Sequence, residues 1–256
     1  MFQRRLVLFG GEKIWSSANW TNSDDRVRGG ISQSFMECAT FESSARFYGN
    51  LDISILGGAG FASQRTTGEE RSWDLSGYDG IELVVTKADR KRYTFIVKDE
   101  LLPKNPDNGR EQSTISYERD FTIPGETEEL STRSVLFIPW RSFHATYRGR
   151  RKKDSPALDT SRVKRFSMMM RSFFGEQEGS FSLSIESISA VTEPPASENF
   201  QIPLDSEKGY GISIAAHSAS YYAGQDINHQ WIVFKRKPAV FGAVIVCLIL
   251  LYVIRL

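Results

Sequence analysis

The segment 19–34, N-W-T-N-S-D-D-R-V-R-G-G-I-S-Q-S, holds the densest set of residues able to do chemistry: adjacent carboxylates at Asp24 and Asp25, a basic pair at Arg26 and Arg28, and a Gly29-Gly30 step. Glycosidases work with two carboxyl groups across a sugar bond, and Asp24 with Asp99 or Glu100 is the pairing this chain offers. The same residue types also build turns. There the aspartates accept backbone hydrogen bonds, the glycines supply positive φ or a bulge, and Arg26 or Arg28 pairs with a carboxylate. On that reading Gly29→Val and Gly30→Val should cost more stability than Asp24→Ala.

A second cluster packs five basic residues into six positions: Arg148, Arg150, Arg151, Lys152 and Lys153. It reads either as a solvated connection between strands or as a contact for anionic lipid or an acidic partner, worth about 1 kcal/mol per basic residue near a charged leaflet. Arg65 and Arg28 join this run, with Asp24 and Asp25, as candidate binding residues. Catalytic equipment is thin. Of the three histidines only His144 lies before residue 200, and neither zinc-ligand spacing nor a serine elbow occurs. The run G-A-G-F-A-S at 58–63 approaches a dinucleotide fingerprint, but no helical pattern follows it, so a bulge or close strand crossing is the better reading. No catalytic residue, metal or cofactor is expected. A net charge of +1 argues against a nucleic-acid partner.

The elements that must position these residues read as strands. Runs rich in Val, Ile, Phe, Tyr, Ser and Thr, separated by Gly, Asp, Asn and Pro, predict strands over 31–39, 45–53, 60–66, 80–86, 93–99, 114–122, 134–139, 165–171 and 180–191. Phe181, Leu183, Ile185 and Ile188 should face inward, as should Ile81, Leu83 and Val85. Nine strands predict an all-β sandwich of two packed sheets over residues 1–192. Two segments starting at Asp74 and Asp159 each place a serine two positions after the acid, the pattern of an Asx turn leading into a strand.

The pattern W-x3-D-D-x-V-x-G-G-x-S-x-S from Trp20 onward resembles the opening motif of the complex I intermediate-associated protein 30 family. Further matches follow in order. They are F-Y-G-N-L at 47–51, G-G-A-G-F-A-S at 57–63, D-L-S-G-Y-D-G-I at 74–81, Y-T-F at 93–95, P-W-x-x-F at 139–143 and M-M-M-R at 168–171, then G-x-F-x-L-x-I-x-x-I at 179–188. The resemblance spans about 15–191. It implies a galactose-binding-like jelly roll and kinship with companions of respiratory complex I assembly, which bind a protein client without catalysing a covalent step. The alternative is a membrane-tethered carbohydrate- or lipid-binding module, for which Trp20, Trp73, Tyr78 and Trp140 would be exposed stacking platforms. On the first reading Trp140 is mostly buried.

Residues 239–254 are uninterrupted apolar sequence between Lys235-Arg236-Lys237 and Arg255, and eleven of these sixteen residues are Leu, Ile, Val or Phe. Insertion should gain roughly 3 to 7 kcal/mol. Sixteen residues at about 1.5 Å rise give a short span suited to a thin bilayer. The expected organisation is a sandwich over 1–192, a tether over 193–237 and a transmembrane tail anchor over 238–256. The basic triplet before the span leaves the sandwich facing the cytosol, on the mitochondrial outer membrane or the endoplasmic reticulum. Asn19-Trp20-Thr21 is a formal glycosylation sequon, which a cytosolic domain would leave bare.

Overall fold

The computed structural model describes residues 3–38, 43–123, 133–192 and the backbone of 213–214. The segment 239–254, Cys247 and the expected tether apart from 213–214 lie outside the described residues, and among those described no helix is long and apolar enough to cross a membrane. The described chain is an all-β, two-sheet antiparallel sandwich. Its strands are β1 (Arg5–Gly10), β2 (Trp20–Asn22), β3 (Gln33–Cys38), β4 (Ala45–Leu51), β5 (Phe61–Thr66), β6 (Gly80–Ala88) and β7 (Tyr93–Lys98). They continue with β8 (Ser116–Phe121), β9 (Ser134–Pro139), β10 (His144–Tyr147), β11 (Arg150–Arg151), β12 (Arg165–Arg171), β13 (Gly179–Val191) and β14 (Ser213–Ile214). The first sheet runs β14-β9-β6-β13-β4-β3 with β1 also on β13, and the second runs β11-β10-β8-β7-β12-β5-β2.

All nine expected strands are present. The inward set is as expected too: Ile81, Leu83, Val85, Phe181, Leu183, Ile185 and Ile188 are buried. Strict alternation after Ile185 would place residue 187 inward, yet the apolar residue is Ile188. The β13–β6 pairing shifts register between Ile185 and Ser187, so an irregularity there changes the phase and restores burial. Residues 74–76 and 159–161 each close the expected Asx turn: Ser76 N donates to Asp74 Oδ1 (3.0 Å) and Ser161 N to Asp159 Oδ1 (3.1 Å). The two turns lie side by side, because Leu75 N donates to Thr160 O (2.7 Å) and Trp73 bridges to Val163.

β1 was not anticipated, and it matters. β13 is thirteen residues long; its first half pairs with β4, and β1 occupies the same flank from Ser187 to Val191. β1 thereby brings Phe9 into an aromatic cluster, with ring centroids 5.1 Å from Trp20 and 6.2 Å from both Trp73 and Phe166.

The two sheets are also joined by buried carboxylates. Asp24 and Asp25 precede and open a short 3-10 turn (Asp25–Arg28). Asp24 accepts from Ser34 Oγ (2.6 Å) on β3 and from Ser63 N (2.9 Å) on β5, so one side chain bonds to both sheets. Asp25 accepts from Ser32 N (3.1 Å), Ser32 Oγ (2.7 Å) and Phe61 N (3.1 Å). The D-D-x4-G-x-S-x-S spacing is thus a polar clip. Gly29 supplies the left-handed residue that ends the turn, at φ 85°. Gly30 is needed for room: a Cβ there would lie 2.4 Å from the Asp25 carboxylate.

Two stability outcomes follow. Phe9→Ala should lower unfolding free energy by about 3 to 5 kcal/mol in chemical denaturation, because it empties the centre of a buried aromatic cluster. Gly29→Val meets open space and should cost only backbone strain, about 1 to 3 kcal/mol. Asp24→Ala strands several buried donors at about 1 to 3 kcal/mol each and should cost more than Gly29→Val, the reverse of the order expected from sequence. Equal melting temperatures for Asp24→Ala and the unchanged protein would refute the clip.

Candidate functional site

Along β12 the residues Phe166, Met168 and Met170 fill the core, so Arg165, Ser167, Met169 and Arg171 must face away from it. Register carries this outer face across the sheet: Arg65 on β5 stands opposite Ser167, Lys98 on β7 opposite Arg165, and Glu118 on β8 between Ile96 and His144. An outer sheet face is ordinarily solvated. Here Ser63, Thr94, Ile96, Glu118, Arg165 and Ser167 are buried.

Charge pairing organises the face. Glu111 places Oε1 2.7 Å from Arg65 Nη1 and Oε2 2.8 Å from Arg165 Nη1. Arg171 pairs with Glu118 (2.8 Å) and Asp120 (2.6 Å), and Thr146 Oγ1 donates to Glu118 (2.6 Å). Burial, then the charge of Arg151, hold the His144 imidazole below its ordinary pKa and so neutral at pH 7. Beside Lys98 and Arg165 opens a cleft of about 370 Å³, with Leu102, Lys104, Glu111 and Lys164 in its wall.

The expected site residues are scattered. Asp24 and Asp25 are buried in the clip, their oxygens occupied by donors from β3, β5 and Ser32, and Asp99 is held separately by Asp159 N (2.9 Å). Arg28 lies over the Phe61 ring at 5.5 Å. Only Arg65 belongs to the charged face. Arg148, Arg150, Arg151, Lys152 and Lys153 are exposed on the β10–β11 hairpin, whose tip uses left-handed Arg148 and Gly149. The 57–60 glycine run is the close crossing expected, since a Cβ on Gly60 would lie 2.3 Å from Asp52 O. None of the four proposed stacking platforms is exposed. Trp20 is buried, while Trp73, Tyr78 and Trp140 pack partly buried against the core, with Trp140 Nε1 donating to Tyr78 O (2.7 Å). Among the described residues no group of three or more His, Cys, Asp or Glu is placed to hold a metal.

Sequence reasoning missed Lys98, Glu111, Glu118, Asp120, Arg165 and Arg171. A signal for two of them exists: on β12 Arg165 and Arg171 keep the outward phase that alternates with Phe166, Met168 and Met170, whereas on β8 Glu118, Arg119 and Asp120 are consecutive charges. It also missed Phe174. The turn after β12 puts Phe173, Phe174 and Gly175 in the left-handed region, at φ 48°, 62° and 92°. Phe173 is clamped between Arg92 and Arg171, the guanidinium carbons 3.5 Å and 4.7 Å from its ring centroid. Phe174 projects outward and is 94 % exposed. Ser172 N donates to Gly60 O (3.0 Å) and Ser32 Oγ to Asp52 O (3.3 Å), so this turn, the 25–31 turn and the 52–60 loop share one end of the sandwich. Val27, Ile31 and Ile55 are exposed on those same loops.

Comparison with known proteins supplies the family. A Schizosaccharomyces pombe protein, Uncharacterized protein C9E9.15, is 42% identical over 189 residues, which is 73% of this chain and 84% of that one. Two solved structures of the family 11 carbohydrate-binding module of Clostridium thermocellum are each 12% identical. They cover 73% and 74% of this chain and 95% of theirs, with TM-scores of 0.47 and 0.48. The family model for complex I intermediate-associated protein 30 matches residues 7–185, from the first strand into the last long one, and the chain belongs to that family.

Proposed function

We propose that this protein is a non-catalytic assembly factor that holds a protein client beside a membrane, as the name of its family suggests for respiratory complex I. The supporting observation is the end of the sandwich that carries Phe174. Two successive non-glycine residues in the left-handed region cost about 1 to 3 kcal/mol each. Such strain, held in place by the Arg92–Phe173–Arg171 stack, keeps a large aromatic ring in water, and exposed aromatics near other apolar side chains are the usual anchors of protein interfaces. The adjacent carboxylates that first suggested hydrolysis accept hydrogen bonds inside the clip, which favours binding over acid–base chemistry.

The apolar segment 239–254 supplies the membrane part of this reading. Residues 193–237 would tether the sandwich on the cytosolic face of the mitochondrial outer membrane or the endoplasmic reticulum.

In cells lacking the protein, the unchanged chain should restore complex I on native gels. Phe174→Ser with Val27→Ser should fail to restore it while the melting temperature of the purified protein stays within a few degrees. Normal rescue by the double variant would sink the client surface; no complex I phenotype at all would sink the assembly reading. For the membrane, deleting 238–256 should move the protein from the carbonate-resistant pellet to the soluble fraction. Endoglycosidase should leave its mobility unchanged, and a mobility shift would place the sandwich in the lumen.

A further inference from the structure

The charged face is unevenly balanced along its length. At one end Arg171 meets two carboxylates, Glu118 and Asp120. At the other, Arg65 and Arg165 share the single carboxylate of Glu111 and Lys98 lies on the neighbouring strand; Glu69 and Glu70 also line this cleft, Glu69 pairing with Lys104 (3.0 Å). Lys98 stands directly across from Arg165, a repulsive arrangement for like charges, and its ammonium donates to the Thr114 hydroxyl (3.0 Å) rather than to a carboxylate. The Nε atoms of Arg65 and Arg165 are buried donors without an acceptor among the described residues, and the Arg165 side chain is only 5 % exposed. Burial, followed by the charge of Arg165, lowers the pKa of both Lys98 and Arg65, as expected where positive charge is in excess.

Glu111 comes from the connection between β7 and β8, a stretch without strand or helix, and its side chain is 36 % exposed. It enters the cleft from outside and gives one oxygen to each arginine, as a ligand carboxylate would. We propose that Glu111 is an internal stand-in, and that the cleft lined by Lys98 and Arg165, with Arg65 behind Glu111, receives an acidic side chain of a protein partner. The proposal rests on the client-holding reading for the source of that carboxylate. A recessed floor favours a charge carried on a side-chain stem over the flat face of a bilayer. Arg148 Nε donates to Ser113 Oγ (3.3 Å), which sets the exposed basic hairpin beside the loop that carries Glu111 and adds a field that steers acidic segments toward the cleft. Leu102, at the lip, is exposed and offers an apolar contact beside the charge.

The test uses the full chain in detergent micelles and a fluorescently labelled pentaglutamate peptide, read by anisotropy. Glu111→Gln should bind the peptide about tenfold more tightly than the unchanged chain, and the gain should shrink as salt rises. Adding Lys98→Met should remove the gain. Lys98→Met alone leaves the Glu111 bridges in place and should weaken the residual binding of the unchanged chain, which keeps the test decisive if Glu111→Gln does not fold. Peptide binding that ignores Lys98→Met, or a folded Glu111→Gln that binds no more tightly, overturns the proposal. Inorganic phosphate competing better than unlabelled peptide would make this a phosphate site. Phosphatidylserine vesicles whose binding alone responds to Lys98→Met would make it a lipid contact, and either result overturns the assignment. The assay needs no complex I readout, so the cleft can fail while the Phe174 result stands, and the reverse.

Discussion

The sandwich depends on two buried carboxylates. Its sheets meet over an apolar core, but the side where β3 faces β5 is closed by polar bonds: Asp24 reaches Ser34 and Ser63, Asp25 reaches Ser32 and Phe61, and Gln64 donates to Ser34 O (2.9 Å). Burying two adjacent carboxylates is costly unless each finds several donors, and here each does. Asp25 has room for its partners because Gly30 carries no side chain, a Cβ there lying 2.4 Å from its carboxylate. Chemistry-bearing residues at the head of the chain therefore serve as a fastener.

That fastener also locates the end of the molecule where a partner would bind. It anchors the 25–31 turn and, through Phe61 and Gly60, the β12–β13 turn that displays Phe174. A rigid clip beneath and a strained aromatic above suit a surface that must be presented before its partner arrives, because ordering it in advance lowers the entropic cost of association. The charged cleft lies toward the opposite end of β12, at Arg165. One strand thus links two surfaces of different chemistry, an apolar one and a cationic one.

Much of the fold was legible because alternation is a local property. Val, Ile and Phe at every second position marked β6 and β13, and the acid-x-Ser pairs marked turns that hydrogen bonds within three residues can close. β2, β10, β11 and β14 escaped because strands of two to four residues carry too few positions to show a period. β1 escaped for another reason. R-L-V-L-F-G has the composition of a strand, but its place on β13 depends on β4 ending early enough to leave that flank open, which no local pattern records.

The sequence by itself determined the all-β class, the two-sheet arrangement, the inward residues and the family, since each rests on residue types within a few positions or on an ordered series of short motifs. Only the tertiary structure decided what the charged residues do. Asp24 and Asp25 were open to turn-building, the commoner use, or binding, and Asp24 to a hydrolytic pair, until Ser34 and Ser63, ten and thirty-nine residues away, arrived as donors to Asp24, and Ser32 and Phe61 as donors to Asp25. Arg65 and Arg165 are a hundred positions apart in the chain, and antiparallel register makes them neighbours that share Glu111. A side chain's chemistry is written in its type, but its charge state, exposure and partners come from strands brought together across the sheet, and that pairing is a property of the whole fold.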